Sequence, residues 1–290
     1  MIAVSLYAVW AAIGFTLVAV VGYWGHLLAR WLLAVPASYL GPSSPLVRLG
    51  PLLGRVGTAS TRGALVAVLF SLALRAVATE RPPMANMWEF TIAFIAAILL
   101  FYALYERSQG QKALGAVVQP LVLCLLVGVV ILLPWQTTPL VPALQSRGVL
   151  AAHVGAMTLA YGALTISFGA AILYLIQGKE RRLSWLPRPD FLEEAAFRSV
   201  ALGFPLLALG IAIGAYWGNW AWGRYWGWDP KETSSLVTWL IYGVYLHLRS
   251  VKGWRGAKAA VVLVVGYMSV LFTYFGVNLL ISGLHSYAGL

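Results

Sequence analysis

Residues 149–177 read VLAAHVGAMTLAYGALTISFGAAILYLIQ, 29 positions without an Asp, Glu, Lys or Arg. A helix needs about 20 mostly apolar residues to cross a bilayer, and this stretch exceeds that. In lipid, backbone N–H and C=O groups find partners only within the segment, so the run must be helical. Reading outward, similar runs recur at roughly 3–29, 63–79, 86–105, 115–133, 197–217, 234–250 and 259–281. The expectation is an all-α, polytopic membrane helix bundle with about eight transmembrane helices, forming a single integral membrane domain over 1–290. The run at 63–79 is the weakest, being short and holding Arg75. The run at 3–29 lacks a basic flank and a small-residue cleavage site, so it reads as a retained helix rather than a signal peptide. Segment 30–62, rich in Pro, Gly and Ser, is expected to be irregular.

Composition agrees. The chain is 61% hydrophobic and 10% charged, against about 25% charged residues in soluble domains. A net charge of +11 raises nucleic acid as a partner, but its placement argues for a membrane instead. Of 20 basic residues, 15 lie at one set of loops: Arg30 to Arg62, Arg107 and Lys112, Lys179 to Arg198, and Arg249 to Lys258. Lys/Arg-rich loops are cytoplasmic. Both termini and the even-numbered loops are therefore expected outside a cytoplasmic (inner) cell membrane. Cys124, the only cysteine, leaves no disulfide within the chain, no dithiol redox pair and no C-x-x-C-H attachment site.

One outer loop stands apart. Residues 217–228 read WGNWAWGRYWGW, with five tryptophans, Trp217, Trp220, Trp222, Trp226 and Trp228, in twelve positions. An interfacial belt places one or two Trp at a helix end, fewer than this. Indoles interleaved with glycines suit a flat, apolar ligand, and Arg224 and Lys231 can meet anionic groups at its edge. The continuation Asp229-Pro230-Lys231-Glu232 also fits a helix start, with Asp as N-cap, Pro at N1 and Glu at N3. Asp229 is thus open to a capping role, a ligand role, or both. The external tryptophan-rich loop is expected to span about 217–233.

The four histidines pair by depth. His153 and His285 lie near the outer face, within reach of that loop, and His26 and His247 lie near the inner face. Ionisable residues at membrane depth are costly and usually functional, and neutral imidazole is a haem-iron ligand. The alternative for each is an interhelical hydrogen bond. Gly22 and Gly243 each precede an inner histidine by four, on the same helix face, leaving room where a macrocycle can lie.

The stretch WGRYWGWDPKET, residues 222–233, resembles the tryptophan-rich WWD signature of haem-handling proteins, and its Asp-Pro-Lys-Glu-Thr ending is similar to the CcsA/ResC family of system II cytochrome c biogenesis. Four further segments agree: PMANMWE at 83–89, LVPALQS at 140–146 before His153, YGVYLHLR at 242–249 and YFGVNLLISGLHSY at 274–287. The resemblance implies transport of haem b and its presentation at the outer face for attachment to apocytochrome c, within a cytochrome c synthase (haem lyase) complex. It implies His153 and His285 as external axial ligands and His247 as the membrane-embedded one, whose partner ligand comes from a CcsB/ResB-type companion. It also implies a separate thiol-reducing system. No family motif covers His26, which sits where a second inner ligand can be placed. Rival readings are a transporter of another small solute, which calls for paired broken helices near the midplane, and a membrane electron-transfer cytochrome with fixed haems.

Overall fold

Every apolar run forms helix in the computed structural model, which describes residues 1–34, 45–137, 142–145 and 147–285. The elements are α1 (Ile2–Ala34), α2 (Leu46–Thr79), α3 (Met87–Gln109), α4 (Gly115–Leu132), α5 (Arg147–Gln177), α6 (Pro189–Trp222), α7 (Pro230–Lys252), α8 (Ala257–Leu271) and α9 (Val277–Leu280). A π-turn at Phe272–Gly276 joins the last two into one rod. α3 and α5 are the most buried helices and pack on each other. α1 and α2 lie together on one flank, and α6, α7 and α8 close the other.

Among the described residues, seven helical stretches are long and apolar enough to cross a membrane. The eighth helix, α7, has 23 residues but a polar N-terminal stretch, Lys231 to Ser235. Its polar side faces inward, where the Thr238 hydroxyl contacts those of Ser269 and Thr273 on the rod opposite. Its apolar side chains Val237, Leu240 and Val244 are the exposed ones. That inversion is what a lipid-facing helix requires.

The irregular segment expected at 30–62 is instead helical from Leu46 onward, while residues 35–44 lie outside the described set. Packing overrides composition here. Gly50, Gly54 and Gly57 are buried on one face of α2 and receive Ala29, His26 and Tyr23 of α1. A Cβ on Gly22 would stand 2.7 Å from the Gly57 nitrogen and 2.8 Å from the Leu53 oxygen. Small residues that let two backbones meet are a main source of helix association in lipid, where no hydrophobic drive exists. Pro51 lies on the exposed side near the start of α2, where only one intrahelical bond is lost.

Arg75, the charge that weakened the second run, is fully buried. Its Nε donates to Glu89 at 3.1 Å, its Nη2 to the Trp135 carbonyl at 2.9 Å, and its guanidinium lies 4.1 Å from the Trp88 ring centre. Glu89 also accepts from Arg81 and the Ala85 N–H, while Asn86 caps α3 through the Glu89 N–H. At the opposite end, Glu106 of α3 pairs with Lys112 at 2.6 Å and takes the hydroxyls of Tyr23 and Thr58. One buried carboxylate therefore ties α2 to α3 at one end, and the other ties α1, α2, α3 and the α3–α4 segment at the opposite end.

Gly22→Val should separate α1 from α2. Overpacking costs about 1–3 kcal/mol, and the contact is backbone that cannot yield. Gly14→Val serves as control, because a Cβ added at Gly14 meets nothing within 4 Å. Thermal unfolding in detergent should fall for the first variant and hold for the second; equal midpoints would contradict close packing of the two backbones.

Candidate functional site

The tryptophan-rich segment is mostly helix. α6 continues through Trp222 and stops at Gly223, whose φ of 73° and N–H to Asn219 carbonyl bond close the helix. Only 223–229 lies between α6 and α7, a shorter loop than the 217–233 expected, because Gly223 and Pro230 sit where a helix ends and begins. Asp229 and Glu232 form the expected cap. The Asp229 carboxylate accepts from the Lys231 N–H at 3.1 Å, and Glu232 accepts from the N–H groups of Asp229 and Gly227 at 3.1 and 2.8 Å.

The same Asp229 carboxylate takes two more donors from beyond α9. His285 Nδ1 lies 2.8 Å from Oδ2, and the Leu284 N–H lies 2.6 Å from Oδ1. Burial works to raise this carboxyl, but the bonds from His285 and Leu284 outweigh it and hold Asp229 below the usual carboxylate range. Burial keeps His285 below the ordinary histidine value despite that carboxylate. That lowered pKa favours the neutral ring, which gains a proton only as pH falls. With Nδ1 donating to a carboxylate, the lone pair sits on Nε2, the form that ligates a metal.

His153 comes from α5 and reaches the same place. Its Nδ1 donates to the Gly210 carbonyl of α6 at 2.8 Å, again leaving the lone pair on Nε2. Room for the ring depends on Gly214, where a Cβ would stand 2.6 Å from His153 Cε1. Trp217, 1% exposed, stacks on His153 at 6.1 Å and lies 6.0 Å from His285, and Trp222 meets His285 edge-on at 5.0 Å. His153 and His285, 132 positions apart in sequence, thus share one aromatic pocket. The pocket has two adjoining lobes of about 70 and 50 Å³, and Met157, Tyr161 and Lys231 border both.

The five tryptophans divide. Trp217, Trp222 and Trp226 line the pocket, whereas Trp220 and Trp228 are exposed. Arg224 is exposed too, its guanidinium folded across Gly227, while Lys231 reaches into the pocket wall and donates to Asn278 Oδ1 at 2.7 Å. His153, Met157 and Tyr161, spaced by four, form one helix face, a signal that was available in the sequence. Gly210 and Gly214, which make room for that face, carried no such signal.

The inner histidines are not brought together. His26 Nδ1 donates to the Gly50 carbonyl at 2.9 Å, between α1 and α2. His247 is exposed on α7, which packs on α6 and α8 rather than α1. The space expected beside Gly22 is filled by the α2 backbone, and that beside Gly243 by the Phe204 ring. Both glycines serve helix packing. Of the quoted signature segments, Leu140, Val141, Ser146, Ser286 and Tyr287 lie outside the described residues.

Comparison with known proteins gives the family of the chain. Residues 84–285, from just before the Asn86 cap to His285, match the family model described as cytochrome C assembly protein. The chain is 42% identical over 215 residues to the cytochrome c biogenesis protein CcsA of Chlamydomonas reinhardtii, covering 71% of this chain and 60% of that one. It is 36% identical over 261 residues to CcsA of Guillardia theta, covering 81% and 86%. It is 32% identical over 300 aligned positions to CcsA of Synechococcus elongatus, covering 86% and 91%. The fold is shared with a solved cytochrome c heme lyase, CcmF, at a TM-score of 0.65 and 18% identity, over 94% of this chain and 46% of that one. A polytopic helix bundle with these relatives belongs to the cytochrome c assembly family, as a CcsA protein of cytochrome c biogenesis.

Proposed function

We propose that this chain carries haem b to the outer membrane face and presents it there for covalent attachment to an apocytochrome c bearing C-x-x-C-H. The observation that supports this most is the meeting of His153 and His285 in one aromatic pocket, each with Nδ1 engaged by an acceptor. In this reading both Nε2 atoms ligate the haem iron, and Trp217, Trp222 and Trp226 contact the macrocycle. Asp229 holds the His285 ring in register, as a carboxylate behind a metal-bound imidazole does.

Lobes of about 70 and 50 Å³ fall short of the roughly 300–1,000 Å³ typical of small-molecule sites. Loading therefore requires the pocket to widen. Exposed Trp220, Trp228 and Arg224 form the surface that an apocytochrome meets. His247, exposed on α7 between Val244 and Val251, is the inner ligand, completed by a CcsB/ResB-type companion seated on that face. With Cys124 the only cysteine, a separate thiol-reducing system keeps the apocytochrome thiols ready. The 15-to-5 asymmetry of basic residues supports a pocket on the extracytoplasmic side of the cytoplasmic membrane. The chain acts in this scheme as a subunit of the synthase.

His153→Gly and His285→Gly should abolish cytochrome c maturation in cells, and added imidazole should partly restore it by filling the open iron position. Trp226→Ala should reduce retained haem without imidazole rescue, because the lost contact is with the ring; Trp228→Ala should reduce it less. Normal maturation by both histidine variants would refute the outer site.

Orientation and the inner site have their own test. A periplasm-specific reporter fused at Tyr225 should be active, and activity of a cytoplasm-specific reporter there would reverse the topology. His247→Ala should lower haem content more than His26→Ala, because His26 is engaged between α1 and α2. Equal, large losses would make His26 a ligand, and no loss from either would remove the inner site.

A further inference from the structure

The pocket holds a cation that the proposed iron ligation does not use. Lys231 borders both lobes, together with His153 and His285. An ammonium carries three donors, yet Asn278 Oδ1, at 2.7 Å, is its one hydrogen-bond acceptor among the described residues. No carboxylate of those residues lies within ion-pair distance of it; Asp229, two positions earlier, is taken up by His285, Leu284 and the Lys231 backbone N–H. Asn278 is itself fixed, its amide donating to the Tyr274 carbonyl at 2.8 Å and reaching Met87 Sδ at 2.9 Å, so the Lys231 head is aimed rather than loose. A cation taken out of water is costly unless an anion joins it.

We infer that Lys231 is a carboxylate-binding subsite of this pocket, receiving a propionate of the ligand held between His153 and His285. The inference rests on the haem reading above and adds the polarity of the ligand within the site. The alternative cation, Arg224, points away from the pocket, over Gly227. Lys231 instead turns toward Asn278, inside the bundle. The carboxylate edge of the macrocycle therefore faces the α7–α9 wall.

The test uses the full chain purified in detergent, titrated with ferric haem and with ferric haem dimethyl ester, whose propionates are blocked and vinyls intact. Bis-imidazole absorption reports seating between the histidines. The wild-type chain should bind haem at least tenfold more tightly than the ester. Lys231→Met should lose that tenfold preference for haem while binding the ester as the wild type does, which also shows that the variant folds; Lys231→Arg should keep most of it. Unchanged haem affinity in Lys231→Met would overturn the subsite. Equal losses for haem and ester would also overturn it, making Lys231 a support of the pocket wall. Absence of a bis-imidazole spectrum from the wild type with either ligand would overturn the haem reading and the subsite together.

Discussion

The Asp229 carboxylate faces donors from two distant parts of the chain at once. One oxygen takes the Leu284 N–H, and the other takes His285 Nδ1 and the Lys231 N–H. It thereby caps α7, ends the tryptophan loop and docks the segment after α9 onto both. Gly283 is required for this approach, since a Cβ there would stand 2.6 Å from Asp229 Oδ1. Loss of that carboxylate removes the bond that orients His285 beside Trp217 and Trp222, and with it one of the two aligned imidazoles of the pocket. The side chain that caps α7 also holds the His285 ring, so the capping role does not exclude a part in the proposed site.

A scaffold that holds such a site in lipid must place its charges with care. Arg75 and Glu89 are both fully buried, and breaking a buried pair leaves an uncompensated charge at a cost of about 3–5 kcal/mol. Their position near the N-terminus of α3, beside the start of α5, braces the end of the bundle where His153 lies. The Glu106 network does the same for the other end through Tyr23, Thr58 and Lys112. Between these clamps α3 and α5 approach closely, with Gly162 against the Ala97 backbone.

Much of this was legible in the amino-acid order. Long uncharged runs dictate spanning helices, and Asp229-Pro230-Lys231-Glu232 dictates a helix start. Helix length was less legible, since the glycines of 50–57 read as loop residues until α1 is laid against them. The same holds for Gly22 and Gly243, which read as space for a ligand and are filled by a neighbouring helix. Arg224 and Lys231 are both cationic side chains, and only the three-dimensional path of the loop turns one outward and the other in. The Glu106 network was invisible because its members come from three helices whose pairing no local pattern specifies. His153 and His285 were grouped by membrane depth, by reach to the tryptophan loop and by the family resemblance; Gly210, Gly214 and Asp229 are what set their rings in one pocket.

Whether Asp229 holds His285 as an imidazole ligand toward a shared iron is tested most directly by low-temperature electron paramagnetic resonance of ferric haem bound to the purified chain. The wild type should give a low-spin signal of two imidazole ligands. Asp229→Ala should shift a large fraction to high spin, with Asp229→Asn intermediate because its amide oxygen still accepts from Nδ1. Low-spin signals of equal strength in all three proteins would contradict that role for Asp229.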